Sequence, residues 1–150
     1  MLFRLPPEAL VLLIPTLMFA LSFHEFAHAW MAAKCGDTTA ARMGRLSLNP
    51  MAHLDMMGSL MILFVGFGWA KPVPVNPVNF SNPRVDMMKV AFAGPASNLL
   101  LAFTAGLMMR LVNIVGLLQS EMFVQTLYFF ILINISLAVF NMIPVAPLDG

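Results

Sequence analysis

Three ionisable residues interrupt an apolar stretch: His24, Glu25 and His28, in the run HEFAH. On a helix, residues four apart share a face, so both imidazoles can reach one ion. Glu25 lies between them angularly. It can hydrogen-bond a water on that ion without being a ligand. This is the H-E-x-x-H arrangement of zinc hydrolases. The pattern fixes only three positions, so it also arises by chance. The plain alternative is a pair of hydrogen-bonded core histidines beside a paired glutamate. That alternative has to explain three polar groups in a hydrocarbon layer, where ionisable residues cost several kcal/mol. The apolar run around them contains no lysine or arginine.

A catalytic zinc takes three protein ligands and keeps one open position. Few residues qualify as the third. Asp149 follows the last long apolar segment, in NMIPVAPLDG, where Pro144 and Pro147 stop regular helix. His53 and Asp55 lie in the loop NPMAHLD. Asp37 and Asp86 read as ordinary surface acids.

The elements that position these residues follow from composition and charge. Of 150 residues, 60% are apolar and 10% charged, against roughly 25% charged in a globular protein. Mean hydropathy is +0.86. A soluble domain of this size cannot hide so much apolar surface, and disordered chains are poor in it. The expected fold class is an all-α polytopic membrane protein. A net charge of +1 without a basic run gives nucleic-acid binding no electrostatic support. The single cysteine, Cys35, allows no internal disulfide.

Three long transmembrane helices are expected, at about 9–33, 88–113 and 122–142. The first, Ala9 to Ala33, reaches about 37 Å at 1.5 Å per residue, enough to span with tilt. Residues 56–70 are uncharged but too short to span comfortably, and read as a re-entrant segment or short helix. Met43 to Leu48 alternates weakly and reads as a short β-like strand at the cytoplasmic side. Trp69 to Asp86 holds four prolines and reads as an ordered loop across the mouth of the helical core. Lys34, Arg42, Arg45, Lys71, Arg84 and Lys89 lie between the first two long helices, with Arg4 and Arg110 outside them. The positive-inside rule then places residues 34–89 in the cytoplasm. With a re-entrant 56–70, the third helix returns Asp149 to the side of His24 and His28. Parity thus favours Asp149 as third ligand, on the premise that the residues form one site.

HEFAH, GRLSLNP (Gly44–Pro50), GWAKPVPVNP (Gly68–Pro77), AGPASN (Ala93–Asn98) and NMIPVAPLDG (Asn141–Gly150) occur in order. Together they resemble the site-2 protease family of intramembrane zinc metalloproteases, in its small bacterial and archaeal branch without a PDZ domain. The resemblance runs from about Pro15 to Gly150. It implies one zinc per chain, held by His24, His28 and Asp149, with Glu25 as the catalytic carboxylate. It implies for Asn141 a role in binding substrate or the oxyanion. Gly94 and Asn98 would sit on the helix that packs by the site.

The chain then reads as a single intramembrane metalloprotease core spanning 1–150, truncated after the LDG motif, since relatives usually continue with further membrane helices. The expected partners are a transmembrane protein substrate and the lipid bilayer, with no nucleic acid. The expected location is a bacterial or archaeal cell membrane. An unwound substrate could pair with 43–48 by strand addition. Two rivals stand beside this reading. A metal-ion transporter calls for polar residues along a continuous path rather than at one site. A non-catalytic zinc-binding membrane protein calls for metal without turnover.

Overall fold

The computed structural model describes residues 5–116 and 120–143. Among these residues five α-helices follow one another: α1 (Pro7–Lys34), α2 (Thr39–Arg42), α3 (Met56–Val65), α4 (Pro83–Ile114) and α5 (Glu121–Met142). Among the described residues, α1, α4 and α5 are long and apolar enough to cross a membrane. The chain is a membrane protein with a three-helix core. α4 packs against both α1 and α5, and α1 also meets α5.

The inside of this bundle is small and polar. Ala20, Ala27, Ala29, Ala93, Ala102, Ala105 and Ala138 are buried, whereas Phe19, Phe92, Phe103, Leu111, Tyr128 and Val139 are exposed. That inverts a soluble protein and suits lipid, where small residues let helix backbones approach. Polar groups inside must then find partners within the protein. Thr16 and Ser22 donate to the carbonyls of Leu12 and Met18, one turn back, at 2.6 and 2.7 Å.

Helix ends follow local signals. α4 begins five residues earlier than the sequence suggests, because Asn82 caps it and Pro83 fills its first turn. At the end of α1 the Lys34 ammonium lies 4.4 Å over the ring of Trp30. Such an aromatic–cation pair fits the level where lipid meets water.

Between α1 and α4 the chain makes an excursion. α3 has ten residues and starts at Asp55, whose carboxylate accepts from the Gly58 N–H at 2.7 Å. It stops at Gly66, and the chain returns extended. Leu54 bridges to Ala70, and the Lys71 N–H donates to the His53 carbonyl at 2.8 Å. The two ends of 56–70 therefore meet. At this base two glycines allow close contact. A Cβ on Gly58 would overlap the Trp69 carbonyl oxygen, and one on Gly68 would overlap the Gly58 carbonyl oxygen. Gly68→Ala is expected to pry the base apart. Limited proteolysis should then cut within 56–76 much faster than in the native chain, and unchanged protection would refute this packing.

The expected strand at 43–48 does not form. Residues 43–48 make turns, and among the described residues no strand exists beyond the single Leu54–Ala70 bridge. The reason is Arg45, whose side chain is buried and donates to the carbonyls of Lys71 and Pro72. Turning Arg45 inward costs the segment its alternation.

Asp37 is likewise no surface acid. It is fully buried and accepts from Thr39 Oγ1 at 2.5 Å, the Thr39 N–H at 3.1 Å, the Asn76 N–H at 2.7 Å and Asn79 Nδ2 at 2.8 Å. Asp86 is also buried, and pairs with Lys89 at 2.9 Å. Burial pushes the Asp37 carboxyl up, but its hydrogen bonds outweigh that and hold it below its ordinary value. A lowered carboxyl contributes stability in full above its unfolded value. That contribution disappears as pH falls through the folded value. Asp37→Asn is therefore expected to lower the melting temperature at pH 7 by roughly 5–10 °C. The gap to wild type should narrow as the pH is taken down through and below the ordinary aspartate range, as thermal melts in detergent across pH can check.

Candidate metal centre and its cavity

His24, Glu25 and His28 all face inward from α1, with exposures of 1%, 7% and 6%. They line a cavity of about 600 Å³ with Asn141 of α5. Its far wall is the extended return segment, through Trp69, Pro72 and Val75 among others. Phe67 at the start of that segment touches Phe140 of α5, ring centres 6.3 Å apart.

The hydrogen bonds of the two histidines decide their chemistry. His28 Nδ1 stands 2.7 Å from the Val90 carbonyl oxygen, which only accepts. His24 Nδ1 stands 2.5 Å from Asn98 Oδ1, which also only accepts. Both Nδ1 atoms must therefore carry the proton, and each neutral ring holds its lone pair on Nε2. The two Nε2 atoms lie 3.0 Å apart. Two lone pairs so close repel unless a cation or a proton lies between them. Two nitrogens on a tetrahedral zinc stand about 3.3 Å apart, so the donor pair fits the metal.

Gly94 makes room for this arrangement. A Cβ there would overlap His28 Nε2 and stand 2.6 Å from Nε2 and Cε1 of His24. α4 can come this close only at a glycine. The same helix brings the Val90 carbonyl and the Asn98 amide to the outer nitrogens of both rings.

Among the described residues, no group of three His, Cys, Asp or Glu side chains is placed to hold a metal. Asp149, expected as third ligand, lies outside the described residues. The alternatives considered for that role do not reach the cavity. His53 Nε2 donates to the Ser47 carbonyl at 2.6 Å, and Asp55 caps α3. His53 is nonetheless buried, next to Arg45. Burial pushes its imidazole below the ordinary value, as does the nearby guanidinium, against the opposing effect of the Ser47 bond. The Arg45 guanidinium is also pushed down by burial, and the charge of Glu25 opposes that shift. Asn141 is held at the cavity wall, its Nδ2 donating to the Leu137 carbonyl at 2.9 Å.

Trp69 also lines the cavity. Sequence reasoning placed Asn98 near the site but not on His24, and it missed the Val90 carbonyl and the inward turn of Arg45. The AGPASN motif was the available signal for Gly94 and Asn98. Nothing local signals a backbone carbonyl partner.

Two curated proteins are similar to this chain in sequence. The chain is 42% identical over 149 residues to "Putative zinc metalloprotease YwhC" of Bacillus subtilis, covering 97% of this chain and 68% of that protein. The chain belongs to a zinc metalloprotease family. It is also 29% identical over 145 residues to "Putative zinc metalloprotease Rip2" of Mycolicibacterium smegmatis, covering 93% of this chain and 54% of that protein. No family model matches the sequence, and no solved structure matches it.

Proposed function

We propose that the protein is an intramembrane zinc endopeptidase of the site-2 type, in the branch without a PDZ domain. It hydrolyses peptide bonds in or near transmembrane segments of other membrane proteins. The observation that carries this reading is the convergence of two Nε2 lone pairs beside Glu25, in a cavity walled by membrane-length helices. His24 and His28 hold one zinc, with Asp149 as the third ligand. Zinc, when bound, supplies the Lewis acid that polarises the scissile carbonyl and brings the pKa of a water near 7.

Glu25 takes the proton of the attacking water and delivers it to the departing amine. Asn141 orients the substrate carbonyl from the α5 side of the cavity. A helical peptide bond is shielded, so the substrate unwinds as it enters. The excursion at 56–70 re-enters the membrane from the cytoplasmic side, and its extended return segment forms one side of the entry path. Residues 34–89 face the cytoplasm of a bacterial or archaeal cell, and the protein forms a single proteolytic core.

The test is metal content together with cleavage. Protein purified in detergent should hold about one zinc per chain and cut a model transmembrane substrate. Removing the metal by chelation should abolish cleavage, and zinc should restore it. A folded protein that binds no metal overturns the assignment.

A further inference from the structure

We propose that Asn134 is a positioning residue of the metal centre: through Asn98 it fixes the tautomer that turns the His24 Nε2 lone pair toward the metal. The inference rests on the function proposed above and adds a residue on a third helix.

The argument is a series of forced choices. It starts at a backbone carbonyl, which can only accept. Asn134 Nδ2 donates to the Phe130 carbonyl at 2.8 Å. Its Oδ1 must then face Asn98, where it accepts from Asn98 Nδ2 at 2.8 Å. The second hydrogen of that amide reaches the Ala20 carbonyl at 3.3 Å. Asn98 is thereby obliged to present Oδ1 to His24, at 2.5 Å from Nδ1. His24 can satisfy that oxygen only with a proton on Nδ1, which leaves the lone pair on Nε2.

Amide orientation is otherwise a free choice, since a carboxamide rotated by half a turn keeps its shape. A rotated Asn98 would offer N–H to His24 Nδ1. The ring would then carry its proton on Nε2, and that nitrogen could not bind a metal. Asn98 and Asn134 are both fully buried, so bulk water cannot replace a lost partner. The bond to Ala20 is the longer of the two that hold the Asn98 amide, which leaves Asn134 as the stronger constraint. The relay crosses the bundle: His24 on α1, Asn98 on α4, Asn134 on α5.

A purely structural role for Asn134 gives a different result. Interhelical hydrogen bonds hold membrane helices together. Losing one in that role lowers stability and leaves zinc affinity and ring tautomer alone. The experiment compares the native chain with Asn134→Leu and Asn134→Asp. Aspartate presents an oxygen to Asn98 in either protonation state, so it preserves the relay. Leucine cannot. Zinc affinity is read by competition with a chelating dye. The tautomer is read from ¹⁵N shifts of labelled histidine in the metal-free protein at about pH 8.5, where imidazoles are neutral. The chain has three histidines, so assignment is tractable.

Asn134→Leu is expected to weaken zinc binding about 10- to 100-fold and to populate the Nε2–H form of His24. Asn134→Asp is expected to keep the native tautomer and bind zinc within about threefold of native. Native affinity and tautomer in Asn134→Leu overturn the proposal, whatever that variant's stability. Should the leucine variant not fold, the native chain still decides: a His24 proton on Nε2 there overturns the relay. A native chain that binds no zinc yet shows the Nδ1–H form would overturn the proposed function instead, and leave the relay standing.

Discussion

Glu25→Gln is expected to leave zinc in place and reduce cleavage by about 10²- to 10⁴-fold, the range a positioned general acid–base contributes. Glutamine keeps the shape of the side chain and its place on the cavity wall. It cannot take a proton from water at neutral pH. Zinc content near native levels with cleavage lost identifies Glu25 as the proton carrier. Normal cleavage by this variant removes Glu25 from that role. Loss of zinc along with activity would instead make Glu25 a ligand, against the geometry in which the two Nε2 atoms face each other across 3.0 Å.

The second large effect is expected at a residue with no side chain of its own. Gly94→Ala adds one carbon where His28 Nε2 already stands, with His24 Nε2 at 2.6 Å. Neither imidazole can simply swing away. His28 is held by the Val90 carbonyl and His24 by Asn98, both on the same helix as the new methyl. Either α4 retreats and both outer hydrogen bonds lengthen, or the rings leave the metal. Zinc affinity is expected to fall at least about 100-fold, beyond the usual loss for an outer-shell partner. Helix content by circular dichroism should stay near native, because glycine to alanine favours helix elsewhere. Native zinc affinity in Gly94→Ala would show that α4 does not close on the histidines.

His24, Glu25 and His28 are legible in the chain because their signal is local. One helical turn puts both imidazoles on one face, and the apolar flanks make three polar groups conspicuous. The three long helices are legible for the same reason, since uncharged runs of this length have few other uses. What the chain hides is pairing across distance. Asn98 sits 74 residues from His24, and nothing near Asn98 says which atom it will offer. Asp37 looks like a surface acid because two of its donors, Asn76 and Asn79, belong to another loop. The strand expected at 43–48 rested on a weak alternation. Two carbonyls of a distant segment instead draw the Arg45 guanidinium inside. The excursion at 56–70 lay between these cases. Its length argued against spanning, and the tie between its two ends is a tertiary fact.

The pairing of Lys34 with Trp30 at the end of α1 has a consequence for which bonds are cut. If that pair marks the water boundary, His28 lies two residues below Trp30 and six below Lys34, roughly 3 to 9 Å at 1.5 Å per residue. On the proposed reading the reaction centre is then a depth gauge. It selects a peptide bond by distance from the membrane surface as well as by neighbouring side chains. A thinner or thicker bilayer would slide the same substrate past it, and the cut would move along the chain by whole residues.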